Sequence, residues 1–345
     1  MIELDGMTPD EIIEYIKSFG QGAYRGKQVL DWVVGGTPVE GMTNLSKTMR
    51  EELSQKAVTN PVRIRQSFKS AIDGTVKFLF ELNDLNLIEG VLMSYKYGHT
   101  LCLSTQVGCN MGCAFCASTL NGCVRNLTPG EMAGQVLCAA SALNGERVKN
   151  LVLMGSGEPL DNYDNVVKFL RVITDERGFN MSVRGISLST CGLVDRMYDF
   201  AGEKLPVTLS VSLHAPNDEI RKKLMPIARR YSIDQVLDAC RNYIEKTKRR
   251  VVMEYALVDG INDSIECADE LAGRLRGMQC HVNIIPLNPV PERNLNAPTP
   301  ARVRAFLERL EKRHISATRR REMGDDIQGA CGQLRRSVIE CPTTD

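Results

Sequence analysis

The sequence predicts an α/β fold, namely an incomplete (β/α)6 barrel with a small helical domain at its N-terminus. From residue 101 onwards, short apolar segments rich in Val, Ile and Leu alternate with longer amphipathic segments. Continuous apolar strands separated by helices are typical of a parallel sheet that is buried on both faces. Residues 8–57, in contrast, show only helical patterns. The 345 residues suffice for one large core and a small additional domain.

The N-terminal part of the chain predicts three helices followed by three strands. The first helix begins at Thr8, a preferred N-cap residue, and Pro9 occupies the first helical position. Further helices are predicted at residues 25–34 and 45–57. The strand-like stretches are residues 62–69, 75–82 and 87–95, with turn-forming pairs at Asp73-Gly74 and Asn83-Asp84.

Six apolar segments are the predicted barrel strands, and five amphipathic segments lie between them. The strands are residues 101–107, 150–154, 185–189, 207–213, 250–257 and 281–287, and the helices are residues 129–143, 163–176, 195–203, 233–246 and 264–276. In such a barrel the loops after the strands carry the chemistry. We therefore divide the chain into an N-terminal helical domain (1–60), connecting strands (61–98) and a barrel core with a C-terminal cysteine loop (99–345).

The composition is that of an ordinary globular protein, with 43% hydrophobic and 25% charged residues. No apolar run approaches the roughly 18 residues that a membrane span requires, and the N-terminus lacks a signal-peptide pattern. The twelve cysteines are scattered rather than arranged as a small secreted framework. We therefore expect a cytoplasmic protein that is not bound to a membrane.

The net charge is only +1, which argues against general binding of polyanions. Positive charge is nevertheless concentrated in three clusters: Arg229-Arg230, Lys248-Arg249-Arg250 and Arg319-Arg320-Arg321. Such clusters contact phosphates in nucleic-acid-binding proteins, and they are equally common at solvated helix ends. Charge alone leaves both interpretations open.

The most informative motif is the triplet Cys109, Cys113 and Cys116, which has the spacing C-x3-C-x2-C and follows the first barrel strand. Three thiolates this close can hold three irons of a cubane iron–sulfur cluster and leave the fourth iron without a protein ligand. An open metal position is where catalysis takes place. There are three alternatives: a zinc site, a disulfide framework and ordinary buried cysteines. A zinc site would require a fourth ligand nearby.

Polar motifs follow several other predicted strands. The string Gly155-Ser156-Gly157-Glu158 comes after the second strand; paired glycines allow a backbone to approach a ligand, and a carboxylate accepts hydrogen bonds from an ammonium group. The remaining polar motifs follow the third, fourth and sixth strands and contain Ser189, Ser212, Leu213, His214 and Asn288. Each alone is typical of a loop, but their shared position at one rim of a barrel favours a functional site.

A further cysteine, Cys331, lies near the C-terminus in the string Gly329-Ala330-Cys331-Gly332. Small neighbours leave its thiol exposed, and the nearby Arg335 and Arg336 favour the thiolate. An incidental cysteine in a tail is the alternative, and this string alone favours it.

Taken together, these motifs resemble those of the dual-specificity rRNA (adenine-C2)-methyltransferases of the radical S-adenosylmethionine superfamily. The resemblance rests on the cysteine triplet and on residues 155–160, 212–217 and 330–334, and it extends from the string at 24–28 to Leu334. Members methylate C2 of adenine 2503 in 23S rRNA, and some also methylate adenosine 37 of tRNAs. The resemblance implies the superfamily's incomplete barrel, a 4Fe-4S cluster on the triplet and two S-adenosylmethionine molecules per turnover.

The resemblance also implies roles for two more residues. C2 of adenine is electron-poor and cannot attack a sulfonium methyl group, so the family passes the methyl group through a cysteine. By position, Cys331 would carry it as S-methylcysteine and Glu89 would accept the C2 proton. Cys102 would then attack the sulfur of Cys331, giving a transient disulfide. The ordinary alternative for Glu89 is a solvent-facing carboxylate on a strand. The ordinary alternative for Cys102 is a small core residue.

Position in the family also implies the cofactor contacts and partners. The S-adenosylmethionine contacts would be Gly157, Glu158, Ser189, Ser212, Leu213, His214 and Asn288. Ser156 departs from the family, which often has Met between the two glycines. We expect Arg319, Arg320, Arg321 and the N-terminal helices to contact RNA. Further expected partners are an electron donor and a disulfide reductant, and we expect a monomer.

Other functions remain as alternatives. The C8-methylating resistance relatives share the cluster and both cysteines, but they typically have Ala at the position of Pro159. Radical enzymes of other classes lack the paired Cys102 and Cys331. A non-enzymatic RNA-binding protein would have a fully ligated metal and would not turn over S-adenosylmethionine. The resemblance favours the C2-methylating enzyme.

Overall fold

The computed structural model describes residues 1–143 and 145–334. Arg335 and Arg336, which we predicted to favour the Cys331 thiolate, lie outside these residues, as does Cys341. No helix in the described part of the chain is long and apolar enough to span a membrane.

The N-terminal residues form a helical unit with its own apolar core. Its helices are α1 (Pro9–Lys17), α2 (Ala23–Val34) and α3 (Lys47–Lys56), and a short parallel pair, β1 (Ile2–Glu3) and β2 (Ala57–Val58), joins its two ends. As predicted, α1 begins after Thr8, whose hydroxyl accepts from the Glu11 amide while the Glu11 carboxylate accepts from the Thr8 amide. Leu4, Ile12, Val29 and Leu53 are buried in this core.

Ion pairs connect the helical unit to the rest of the molecule. Nη1 of Arg177 lies 2.6 Å from Oδ1 of Asp10, and Nζ of Lys168 lies 2.8 Å from Oε1 of Glu11. Both carboxylates are in the first turn of α1, where the helix dipole also favours negative charge. The N-terminus of α1 is therefore one of the points at which the unit is attached.

A ten-stranded sheet forms the centre of the molecule. The strands after β2 are β3 (Val62–Lys69), β4 (Val76–Leu82), β5 (Leu87–Tyr95), β6 (Gly98–Cys102), β7 (Gln106–Gly108), β8 (Cys123–Asn126), β9 (Val148–Leu153), β10 (Ile186–Thr190), β11 (Thr208–Ser212), β12 (Val251–Leu257), β13 (Cys280–Pro286) and β14 (Ala317–Arg319). The sheet order is β14-β13-β12-β11-β10-β9-β6-β5-β4-β3, and β7 pairs with β8 separately. Strands β6 and β9 to β14 are parallel, whereas β3 to β6 pair in antiparallel fashion.

Helices connect the parallel strands. Five of them were predicted from the alternating pattern, whereas those at Asp218–Leu224 and Pro300–Lys312 were not. The helices are α4 (Pro129–Ser141), α5 (Tyr163–Thr174), α6 (Val194–Gly202), α7 (Asp218–Leu224), α8 (Ile233–Thr247), α9 (Ile265–Leu275) and α10 (Pro300–Lys312). Their apolar faces and the strands share one continuous buried core. Among the described residues the edge strands β14 and β3 do not pair with each other, so the predicted incomplete barrel is confirmed.

Two strand predictions differ from the structure. The predicted strand at residues 101–107 is divided into β6 and β7, because the chain between them bonds to the loop after β9: the Thr105 amide donates to the Ser156 carbonyl at 2.8 Å. The seventh parallel strand, β14, was not predicted, because its three residues are partly exposed at the sheet edge and lack an apolar pattern.

Candidate active site

A cavity with about 980 Å³ of empty space lies at the carboxyl ends of the parallel strands. The residues predicted from the sequence that line it are Cys109, Cys113, Cys116, Gly157, Glu158, Ser189, Ser212, His214, Asn288 and Cys331. Leu213, in contrast, is fully buried in the apolar core. The fold therefore gathers nearly all the candidate cofactor residues around one space.

The cysteine triplet forms one wall of this cavity. Cys109 follows β7 directly, and its amide donates to the Gly122 carbonyl at 3.0 Å. Gly108 has a φ of +82°, and a Cβ there would lie 1.9 Å from the oxygen of Gly122, so only glycine fits. Cys113 is buried, whereas Cys116 is half-buried. This close strand pairing turns the cysteine loop towards the cavity.

The donor set of this wall fits an iron–sulfur cluster. Burial and the neighbouring Cys116 raise the pKa of Cys109 to about 12, so thiolates here require a cation beside them. Within the described part of the chain, no three His, Cys, Asp or Glu side chains converge as a single-ion site requires. A cubane cluster has a different requirement, since each thiolate binds a different iron.

The glycines after β9 are required by the neighbouring backbone. A Cβ at Gly155 would lie 2.6 Å from the oxygen of Leu103, and one at Gly157 would lie 2.7 Å from the amide nitrogen of Gln106. Gly157 also has a φ of +110°, which side chains rarely adopt. Close approach to a ligand stays a prediction for these glycines, which line the cavity; the structure shows that they also allow close approach to residues 103–106.

The Glu158 carboxylate is buried and held in one orientation. Its Oε1 accepts from the Leu160 amide at 3.0 Å, and its Oε2 accepts from the Cys191 amide at 2.7 Å. Burial raises the pKa of this carboxyl, while the amide hydrogen bonds lower it. The carboxylate also lines the cavity, where it can accept from an ammonium group.

His214 presents a neutral imidazole to the cavity. Its Nδ1 accepts from the Ala256 amide at 2.9 Å, which assigns the ring proton to Nε2. Burial lowers the pKa of His214 to about 3, so the ring stays neutral. The ring packs edge-on against Phe115, with the centroids 4.8 Å apart, and this contact fixes it beside the cysteine loop.

A second cavity, with about 560 Å³ of empty space, adjoins the first. Cys102 lines the second cavity, and Cys331 lines both. Among the described cysteines both are free thiols; Cys102 is buried and Cys331 is exposed. Burial, together with the charge of Cys331, raises the pKa of Cys102 to about 12. Cys331 therefore stands between the cysteine triplet and Cys102.

Side chains from two other loops hold the loop that carries Cys331. Nδ2 of Asn288 donates to the Cys331 carbonyl at 2.9 Å, and the Ser118 hydroxyl donates to the Leu334 carbonyl at 2.6 Å. Both bonds are to the main chain, so they position the loop without involving the thiol. Asn288 thus positions Cys331 in addition to lining the cavity.

Comparison with known proteins agrees with this geometry. Residues 103–271 match the family model described as the radical SAM superfamily, and residues 2–59 match that of the ribosomal RNA large subunit methyltransferase N-terminal domain. The probable dual-specificity RNA methyltransferase RlmN of Alkaliphilus oremlandii is 50% identical to the chain, covering 98% of it and 99% of the relative. The chain belongs to the RlmN family. The corresponding protein of Desulforamulus reducens is 51% identical, covering 97% of the chain and 96% of the relative.

A solved structure supports the same family and fold. The crystal structure of a radical SAM methyltransferase from Sphaerobacter thermophilus is 43% identical and superposes with a TM-score of 0.93, covering 97% of this chain and 99% of that one. The predicted RlmN-family resemblance and the fold class are both confirmed.

In this RlmN-family chain, Glu89 lies on β5 and is buried rather than solvent-facing. Its Oε1 is 3.5 Å from Nζ of Lys77, which in turn lies 3.5 Å from the Gln328 carbonyl, just before the Cys331 loop. Strand alternation places Glu89 on the same face as Val91, which pairs with Cys102 and lines the second cavity. Glu89 itself is not among the described residues that line the two cavities.

The arginine cluster at residues 319–321 does not act as one surface. Arg319 is exposed, with Nη2 2.7 Å from Oε1 of Glu322, and Arg321 lines the second cavity. Arg320 points into both cavities, and its Nη1 lies 3.8 Å from Oε2 of Glu254. Successive residues of an extended chain point in opposite directions, which turns Arg320 away from Arg319. Phosphate contact stays a prediction for all three arginines, and Arg320 in addition lines both cavities.

Glu254 is a site residue that the sequence patterns did not single out. It lies on β12 as the register partner of Ser212, is 3% exposed and lines the first cavity. Its Oε1 accepts from Nδ2 of Asn283 at 3.2 Å. A single carboxylate in an otherwise apolar strand was the available signal, because burying an unpaired charge is costly.

We expect Gly157→Ala to lower the free energy of unfolding by about 2 kcal/mol or more, because the left-handed φ and the contact with Gln106 both oppose a side chain. Urea unfolding would measure it. Gly273→Ala is the matched control: it lies in α9, where an added Cβ meets no described atom within 4 Å. We expect that change to be neutral or stabilising. Equal effects of the two substitutions would contradict the prediction.

Proposed function

We propose that the protein methylates C2 of adenine 2503 in 23S rRNA through an S-methylcysteine at Cys331, and that it also methylates C2 of adenosine 37 in tRNAs. The position of Cys331 carries this proposal, because the residue lines both the cavity with the cysteine triplet and the cavity with Cys102. A thiol that faces both cavities can receive a methyl group in the cavity with the cysteine triplet. In the other cavity, Cys102 can then free it from the product. The dual-specificity RNA methyltransferases at about half identity support the RNA substrates.

The residues of the first cavity fit the binding of both cofactors. Cys109, Cys113 and Cys116 would hold the 4Fe-4S cluster, which when bound supplies the electron for reductive cleavage of S-adenosylmethionine. The Glu158 carboxylate would accept from the methionine ammonium group, and Nε2–H of His214 is a second oriented donor.

Two S-adenosylmethionine molecules would be used in each turnover. In the first reaction the Cys331 thiolate takes the methyl group, and S-adenosylhomocysteine leaves. In the second, the S-methyl group of Cys331 would give a hydrogen atom to the adenosyl group of another S-adenosylmethionine, which would leave as methionine and 5′-deoxyadenosine. The methyl carbon would then bond to C2, so that a thioether bridge joins Cys331 to the RNA. Cys331 is exposed, which allows its sulfur to reach both the cofactor and the base.

Glu89 would accept the C2 proton, and one electron would return from the adduct to the cluster held by the cysteine triplet, so that the aromatic ring is restored. The Lys77 ammonium group lies 3.5 Å from Oε1 of Glu89 and forms an ion pair with it. The ion pair lies beside the Cys331 loop through the contact between Lys77 and Gln328. A proton acceptor is therefore available on the side of the second cavity.

Cys102 would complete the reaction by releasing the product. Its thiolate attacks the sulfur of Cys331, the sulfur–carbon bond breaks, and the carbon takes a proton and leaves as the methyl group of the RNA. The two sulfurs remain as a disulfide, so an external thiol reductant must restore them. Arg320, which lines the same cavity, lowers the pKa of Cys102 and opposes the effect of burial. We also propose that the protein acts as a monomer in a reducing cytoplasm and receives electrons from a separate electron donor.

The test uses anaerobically reconstituted protein, an rRNA fragment and S-adenosylmethionine with a deuterated methyl group. Mass spectrometry should find label on Cys331 and on C2 of the target adenine. Label on C8 would instead assign the protein to the resistance relatives. Binding of the fragment without any labelled product would contradict the enzymatic proposal and favour an RNA-binding protein. A tRNA carrying adenosine 37, tested in parallel, decides the second substrate.

A further inference from the structure

Two tyrosines stack at the tip of the β5–β6 hairpin, beside the second cavity. The rings of Tyr95 and Tyr97 are parallel within 6°, with their centroids 4.9 Å apart. Tyr95 is half-buried and lines the cavity that contains Cys102 and Cys331, whereas Tyr97 is 66% exposed. One face of the Tyr97 ring is therefore covered by Tyr95, and its other face is open to solvent.

The main chain holds this pair in place. Tyr95 is the last residue of β5 and pairs with Gly98, the first residue of β6, so Tyr97 belongs to a tight turn. Gly98 has a φ of +125°, and a Cβ there would lie 2.5 Å from the side chain of Lys149, so the turn packs closely on β9. The Tyr95 hydroxyl donates to the sulfur of Met93 at 3.4 Å. The open face of Tyr97 is thus presented by a fixed hairpin.

The surroundings of the stack match the chemistry of a nucleotide. Lys96 is exposed between the two tyrosines, and Arg321 lines the same cavity as Tyr95. An open aromatic face with cationic side chains beside it is the combination by which proteins bind unpaired nucleotides, because bases stack on the ring and phosphates pair with the cations. An apolar peptide would carry no groups that pair with these charges.

We propose that Tyr97, supported by Tyr95, is a stacking platform for an unpaired nucleotide adjacent to the target adenine. This proposal rests on the proposed RNA substrate. An enzyme that modifies a base must remove it from its stack, and this exposes the face of the neighbouring base. The platform restores that lost stacking at the entrance to the cavity with Cys331, while Lys96 and Arg321 contact the adjoining phosphates.

The experiment measures binding of an rRNA fragment to the reconstituted holoenzyme, with 2-aminopurine placed in turn on either side of the target adenine. At one of the two positions, 2-aminopurine fluorescence should be quenched by wild-type protein and remain unquenched with Tyr97→Ala. Tyr97→Ala should weaken binding roughly 5- to 150-fold, the range of one lost base–aromatic stack. Tyr97→Phe, which keeps the ring, should bind as wild type does.

Two controls separate stacking from loss of structure. Tyr198→Ala removes an exposed tyrosine of α6, outside the site, and should change neither quenching nor affinity. An abasic residue at the quenched position should weaken wild-type binding but have no further effect on Tyr97→Ala. Unchanged quenching in Tyr97→Ala, or additive effects of the two changes, would overturn the platform. A wild-type protein that binds and quenches but does not methylate would overturn only the proposed function.

Discussion

Cys331→Ala is expected to abolish RNA methylation, lowering the rate by roughly 10³-fold or more, as loss of a covalent nucleophile does. The fold should be unaffected, because Cys331 is exposed and Asn288 holds its carbonyl rather than its thiol. The free energy of unfolding should stay within about 0.5 kcal/mol of the wild-type value. Transfer of a deuterated methyl group to RNA and urea unfolding would measure the two effects.

Cys102→Ala is the matched comparison, because it removes a cysteine on the other side of the same cavity. Cys102→Ala should also abolish turnover, but at a later stage. The product should not be released, and the RNA should remain covalently joined to Cys331. Denaturing electrophoresis would show a protein–RNA adduct in Cys102→Ala that is missing from Cys331→Ala. If Cys331→Ala still transferred the labelled methyl group to C2, the relay through this residue would be disproved.

Cys113→Ser should remove the iron–sulfur cluster and lower RNA methylation by more than about 100-fold, since even changes outside the metal ligands cost 10- to 100-fold. Serine has nearly the shape of cysteine, and Cys113 is buried in the core, so the substitution tests the thiolate rather than the packing. Iron and sulfide content per chain, and the electron paramagnetic resonance signal of the reduced protein, would be measured after anaerobic reconstitution.

Cys267→Ser is the control for this prediction. Cys267 is half-buried in α9 and is not among the described residues that line the two cavities. The control should keep wild-type cluster content and activity. A full complement of iron and sulfide in Cys113→Ser would show that the triplet is not the cluster site, whereas equal losses in both variants would point to general damage by serine at a half-buried or buried cysteine.

The fold could be predicted from the sequence where burial imposes a pattern. The strands β9 to β13 are buried on both faces, so their apolar runs were recognisable. The helix start at Thr8 was predicted for a local reason, since the capping bonds join residues only three positions apart. The strand β14 escaped prediction because it lies at the sheet edge, where no burial pattern is imposed.

The site was predictable where its residues are adjacent in the chain. Cys109, Cys113 and Cys116 fall within one loop, so their spacing already indicated a shared metal centre. Arg320 and Glu254 are far apart in sequence, and their ion pair exists only because β12 and β14 flank the same strand. No local pattern distinguishes Arg320 from the two arginines beside it.

The sequence by itself determined the fold class, the family and the cysteine loop, because periodic burial and short motifs are properties of neighbouring residues. Only the tertiary structure decided that Cys331 faces both cavities, that Glu89 pairs with Lys77, and that Arg320 turns inward. Each of these relations joins segments that are distant along the chain. They depend on strand order and loop packing, which bring such segments together only once the whole sheet has formed.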